Sequence, residues 1–474
     1  MLVKTHQVAV ECMASDVMEF PQSSTRTQAN DFQKSSVLDH DHYATHLGAI
    51  NGTNAVIAAQ DILNERGVLL AKKGSRIDPT VAQKLVQHRL TKPLETQVGL
   101  SQTITIEAIQ KGFSTLLDRY ADVQSIHANL KFQHDFDLLL RGWRAHPILA
   151  QKLTVFHDRM PIEFEKALFS AWFSALLARE MGLDLSKQRA VMLGGLLHDV
   201  GFLHIDPAVF HKVAELSSAE WRAIQSHTVI GKMLCASIPD LDDRVPRIIL
   251  EHHERCDGLG YPTGKLEENL DVLGQIVAMA DAVQAIRVGK FARTGRTLRD
   301  LDSFLNMNSE VHFRSTYAGA CIILRKSALP RSALPHCMNS GWVEQLHARW
   351  LGLAKVISFL ETLIAIVAKI DFGTQRAKLQ RVFTQMLVIT HQSGLLTPEM
   401  GRWLEHLRNS HLDAAIQVEL GDIEFMLDEL NWQLHNTKRA VTALFEESSN
   451  QTSANLIALK AMTEELSNVL EIAT

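Results

Sequence analysis

One ordered series of side chains constrains this chain more than any other feature. It opens with Leu196-Leu-His198-Asp199-Val-Gly201 and continues through a solitary His227. It then reaches Glu251-His252-His253-Glu254-Arg255-Cys256-Asp257-Gly258-Leu259-Gly260-Tyr261-Pro262, and closes at Ala280-Asp281-Ala282. Imidazoles and carboxylates in this mixture suit hard or borderline divalent cations such as iron or manganese. No single piece decides anything: His40-Asp41-His42 shows that a His-Asp pair arises by chance, and a solitary buried His is more often structural than ligating. The ordered series is strong. Within it Asp199 has a role no imidazole can take, because the two oxygens of a carboxylate can bridge two cations.

Local patterns place these residues. Val191, Leu193, Leu196 and Leu197 mark an apolar helix that ends at the His-Asp pair, with Gly201 letting the chain turn. His227 falls about two turns into a helix that starts at Ser217, with Glu220 completing a capping box and Leu216 facing Trp221 as a staple. His252 and His253 close a helix running from about Val245. Neighbouring helical residues diverge by about 100°, so these two imidazoles approach a common centre differently. Asp281 sits on the apolar helix Ile276 to Ile286, where an unpaired carboxylate is costly.

His252 to Pro262 reads HHExxDGxGYP throughout, and with the flanking series it resembles the HD-GYP family, a branch of the HD metal-dependent phosphohydrolases. The resemblance covers roughly residues 160 to 300. It implies a mainly α fold, an HD-type helical bundle, and opening of the cyclic dinucleotide cyclic di-GMP at a centre of two or three metal ions. It assigns the bridging role to Asp199, the first metal to His198 and Asp281, and the second to His227, His252 and His253. It implies two ions, iron or manganese. Gly258, Tyr261 and Pro262 would shape the substrate pocket or a partner surface, and Arg287, Lys290 and Arg293 would hold substrate phosphates.

Three positions depart from the family pattern. The Lys expected after His-Asp-x-Gly is Phe202, which removes a cation from the reacting phosphate; His204 is a nearby substitute. The His expected early in the first core helix is Lys166, leaving His157, Glu163 or Glu165 as replacements. The usual Arg-Pro-Tyr-Arg is Lys290-Phe-Ala-Arg293, and Lys offers a point charge where Arg offers a bidentate fork.

At 474 residues the chain has room for two or three domains. We expect a flexible lead over 1–48, with one short strand around Val8. A small α+β module over 49–100 follows, carrying strands around an Asn64/Gly67 turn and a helix capped by Asp78-Pro79. A helical connector over 101–158 leads to the HD-GYP domain over 159–335 and a helical C-terminal region over 336–474. In that last region Trp350, Leu353, Val356, Ile357 and Leu360 make one apolar face, and Ile423, Met426, Leu427, Leu430 and Leu434 another. Val356 to Ala368 is too short to span a bilayer and reads as a core helix. A net charge of −5 gives no pull toward DNA. Five Cys without paired spacing suit a reducing cytoplasm.

The leading expectation is a cytoplasmic cyclic di-GMP phosphodiesterase of weakened activity. The rival is a catalytically inactive HD-GYP signalling module that binds cyclic di-GMP or partner proteins through the GYP loop or the C-terminal helices; under either reading a homodimer is a candidate assembly. A third is an HD phosphohydrolase for another phosphoester.

Overall fold

The computed structural model describes residues 41–141, 146–212, 216–291, 295–309, 311–330, 341–367 and 374–447. They form two compact units, one of residues 41–253 and 271–285, the other of residues 254–270 and 286–447. The expected strand around Val8, together with His40, lies outside the described residues.

The first unit begins with α1 (Tyr43–Ile50), whose Tyr43, His46, Leu47 and Ile50 are buried. The flexible lead expected through residue 48 is therefore corrected: apolar residues at helical spacing already pack from Tyr43 onward. The α+β module follows. In it β1 (Val56–Ala58) pairs antiparallel with β4 (Val98–Leu100), while β2 (Ile62–Leu63) and β3 (Leu69–Ala71) form a hairpin. Asn64 closes the hairpin turn by accepting from the Arg66 and Val68 N–H groups at 3.0 and 2.8 Å. Asp78 caps α2 (Pro79–Val86) by accepting from Val81 N–H, with Pro79 at the first position, where its missing donor costs nothing.

Helices then take over: α3 (Ile106–Arg119), α4 (Ala121–Asn129), α5 (Gln133–Leu140), α6 (Pro147–Arg159), α7 (Pro161–Glu180), α8 (Leu185–Leu197), α9 (Ser218–Gln225), α10 (His227–Ala236), α11 (Arg244–Glu251) and α12 (Val272–Ala285). Every residue of α7 from Ala167 to Ala178 is buried. A helix apolar all round belongs at the centre of a fold, and α8 and α12 pack against it. The Ser217–Glu220 capping box starts α9. Contrary to expectation, the helix does not run on through His227. Ser226 breaks it: its hydroxyl bonds the Ala223 carbonyl at 2.6 Å, competing with the backbone ladder.

The second unit holds the loop 254–270 and the helices α13 (Asp302–Met307), α14 (Arg314–Lys326), α15 (Gly341–Val367), α16 (Thr374–Ser393), α17 (Pro398–Leu407) and α18 (Ala414–Glu447). Leu346, Trp350, Leu353, Val356 and Leu360 of α15 share one core with Phe383 and Met386 of α16, Leu404 of α17, and Leu427, Leu430 and Leu434 of α18. Among the described residues one helical stretch, Val272–Phe291, is long and apolar enough to cross a membrane, but 83% of it is buried inside the protein, as a core helix is.

Candidate metal centre

The C-termini of two helices, α8 and α11, meet at the centre of the first unit, with His198 and His252 as their cap residues. The last carbonyls of a helix lack intrahelical partners, and the imidazoles use them. His198 Nδ1 bonds the Gly195 carbonyl, His227 Nδ1 that of Ile224, and His252 Nδ1 that of Ile249, each at 2.7 Å and three residues back. With Nδ1–H donating to a carbonyl, each Nε2 faces inward, and on His227 and His252 it carries the lone pair, as outer hydrogen bonds commonly orient metal-ligating histidines. The partial negative charge of the two helix ends favours a cation at the same place.

Four groups then converge: the ligand atoms of Asp199, His227, His252 and His253 lie within 4.8 Å of one another, and all four residues are buried. His227 Nε2 stands 3.2 Å from His252 Nε2 and 3.3 Å from an Asp199 oxygen. The other Asp199 oxygen is 3.2 Å from His198 Nε2, which lies 3.4 Å from Asp281. Both Asp199 oxygens, His198 Nε2 and Asp281 Oδ1 are buried without a hydrogen-bond partner. Buried orphan acceptors are costly unless something compensates them, and two inward lone pairs 3.2 Å apart need a positive centre between them. This donor set fits a divalent cation.

Protonation agrees with that fit. Burial holds the His227 imidazole down to about 3, and burial beside other imidazoles holds His252 well below its ordinary value. Both are therefore neutral, the form that ligates. Burial also opposes charge on His198, but the Asp199 and Asp281 carboxylates outweigh it and push that imidazole well above its usual range. The Asp199 carboxyl is lowered despite burial, by His198 and then by His227 and His253.

None of the replacements considered for the missing Lys and His joins the four-residue group. His204 donates from Nδ1 to Asp41 at 2.8 Å and accepts from Lys152 at Nε2 at 2.9 Å, so both its nitrogens are engaged. His157 is paired with Asp158 and mostly exposed. Glu163 holds Lys166 at 2.8 Å, and Glu165 accepts from Arg119 and Tyr120. Phe202 instead lays its ring 4.3 Å from that of His227. Sequence reading missed the carbonyl partners, although His198 and His252 at helix ends were a usable signal. It also read Gly201 as a turn residue. A Cβ there would sit 2.1 Å from the His227 carbonyl oxygen, so this glycine is required by close packing.

Gly258, Tyr261, Pro262, Arg287 and Lys290 belong to the second unit, and Arg293 lies outside the described residues. Within that unit the buried Glu254 ties the loop by accepting from Thr263 N–H at 2.7 Å and Lys265 N–H at 2.9 Å. Arg255 pairs with Asp257 at 2.7 Å. Tyr261 is buried. Lys290 is paired with Glu429 of α18 at 3.0 Å.

Residues 146–316 match the family model described as HD domain. Over 125 residues the chain is 34% identical to the 3'3'-cGAMP-specific phosphodiesterase 1 of Vibrio cholerae, covering 26% of this chain and 29% of that protein. Over 116 residues it is 34% identical to a cyclic di-GMP phosphodiesterase of Thermotoga maritima, covering 24% and 32%. A cyclic di-GMP phosphodiesterase of Pseudomonas aeruginosa is 32% identical over 110 residues, covering 23% and 27%. The chain thus spans about a third of the length of the curated relatives it matches.

Proposed function

From a chain that belongs to the HD-GYP family through its HD domain, we propose a metal-dependent phosphodiesterase that opens a cyclic dinucleotide, with cyclic di-GMP as substrate. The observation that carries this reading is the buried convergence of Asp199, His227, His252 and His253, with both Asp199 oxygens lacking a hydrogen-bond partner. These four would hold one cation. Asp199 turns its second oxygen toward His198 and Asp281, which would serve a second. Bound iron or manganese would acidify a water and neutralise charge on the phosphoryl oxygens. The chain's own contribution is orientation: carbonyl-bonded imidazoles cannot rotate, and burial keeps competing water away. The relatives' names divide between cyclic di-GMP and 3'3'-cGAMP, so both belong in the assay. Product chromatography after incubation with anaerobically iron- or manganese-loaded protein tests the proposal, with Asp199→Ala beside it. Cleavage abolished by that substitution is expected. Tight metal binding with both dinucleotides left intact would overturn it.

A second reading, a receptor or scaffold without turnover, is favoured by two observations. Phe202 puts an apolar ring against His227 in place of a cation, and Lys290 is neutralised by Glu429. Loss of one preorganised electrostatic partner costs about 10²- to 10³-fold in rate. The double substitution Phe202→Lys and Lys166→His separates the two readings. A gain of about 10²-fold marks an eroded enzyme, and no gain marks a receptor.

A further inference from the structure

Outside the metal centre, the first unit holds a fully buried ammonium on Lys152 of α6. That ammonium lies 3.1 Å from the centre of the Tyr43 ring, 2.9 Å from His204 Nε2 and 3.6 Å from Glu95. His204 passes the connection on, donating from Nδ1 to Asp41 at 2.8 Å while stacking on Tyr43. Only the tautomer with Nδ1–H and a free Nε2 lone pair satisfies both bonds. Tyr43 donates to Gln151, which reaches the Val98 carbonyl at 3.0 Å. The cluster therefore joins α1, the α+β module, α6 and the turn that ends at His204.

That turn is the short 3₁₀ segment Val200–His204, and its first residue follows Asp199 directly. Phe202 N–H bonds the Asp199 carbonyl at 2.9 Å. Gly201 presses on the His227 backbone, and the Phe202 ring on the His227 ring. Four residues, 200–203, thus separate the buried ammonium's partner from the bridging carboxylate. We propose that Lys152 and His204 are positioning residues of the metal centre, through which the N-terminal module fixes the placement of Asp199 and His227. This rests on the metal-centre reading above but not on turnover, because a cation bound without catalysis would need the same placement.

Groups that orient metal ligands from outside typically change metal affinity by about 10- to 100-fold when removed. Titration calorimetry with manganese on the full chain tests the inference, with thermal unfolding of the metal-free protein recorded in parallel. Lys152→Met and His204→Phe should each weaken manganese binding about 10- to 100-fold. The double variant should be no weaker than either alone, since both cut one connection. Trp172→Phe is the structural control: it removes a buried hydrogen bond to His127 (3.1 Å) elsewhere in the unit. It should lower the unfolding temperature and leave manganese affinity unchanged. Where Lys152→Met does not fold, Glu95→Gln and Asp41→Asn loosen the cluster from its wetter ends and should each weaken binding several-fold. Folded variants that bind manganese within twofold of the parent overturn the proposal, as does an equal loss in Trp172→Phe. Normal metal binding with no dinucleotide cleavage in the parent would instead defeat the phosphodiesterase reading and leave this one standing.

Discussion

At the scale of single residues, the centre sets the neutral His227 and His252 imidazoles beside unsatisfied carboxylate oxygens, closed off from water. Its energetic logic predicts a dependence on the cation. A ligand present at 1,000 times its Kd and bound only by the folded state adds about 4 kcal/mol of stability. His252→Phe keeps an aromatic body at the His227–His252 contact while deleting the inward lone pair. The manganese-induced rise in unfolding temperature should vanish, whereas the metal-free transition should stay put or move up. A full metal-induced rise in the variant would remove His252 from the ligand set. His46 makes a second residue-scale case. It is buried with neither ring nitrogen hydrogen-bonded, and burial, with nearby cations, holds it down to about 4. An unfolded imidazole titrates near 6.5, so between these values the unfolded chain binds the extra proton. Stability is then fully present above about 6.5 and is lost as pH falls toward 4, by about 3 kcal/mol from this group. Urea midpoints at pH 7 and pH 5 should differ less in His46→Leu than in the parent. Equal differences would contradict the assignment.

At the scale of elements, α7, α8, α11 and α12 build the frame, and the turn Val200–His204 sets its precision. A methyl added at Gly201 must displace the His227 backbone. Gly201→Ala should therefore cost about 1–3 kcal/mol, the usual range for overpacking, and weaken manganese binding about tenfold or more. Unfolding midpoints and calorimetry on the same sample check both halves; a variant with parental affinity would show that the turn can move freely of His227. The sequence made much of this frame legible because its signals are local: the Ser217–Glu220 capping box, Asp78 before Pro79, and the apolar rows of α15 and α18 act within a few residues of themselves. The helix break at Ser226 and the packed role of Gly201 were not legible, because each depends on a competing hydrogen bond or a neighbour from another segment. His204 fails for the same reason. As a sequence it is a spare imidazole near the site, whereas its nitrogens are held by Asp41 and Lys152, distant in the chain.

At the scale of the whole chain, the compact units do not follow the order of the sequence: the GYP loop and the helices after residue 286 group with the C-terminal bundle, while all six candidate ligands lie in the first unit. Within the second unit the C-terminal bundle has its own hold on one candidate phosphate contact. Lys290, a candidate phosphate contact, has its ammonium 3.0 Å from the buried Glu429 carboxylate and 5.4 Å from the Phe425 ring. If α18 holds Lys290 back from a substrate phosphate, releasing it should show in KM and leave kcat alone, because the contact is one of binding. Lys290 is partly exposed, and ion pairs with solvent access are worth about 1 kcal/mol or less, which bounds the effect at about fivefold. Glu429→Gln should therefore lower KM for cyclic di-GMP by up to about fivefold, and Lys290→Ala should raise it. Salt supplies the internal check: screening weakens the Lys290–Glu429 pair, so the advantage of Glu429→Gln over the parent should shrink as ionic strength rises. An unchanged KM in both variants would mean that Lys290 serves only to dock α18, and would leave phosphate recognition to Arg287.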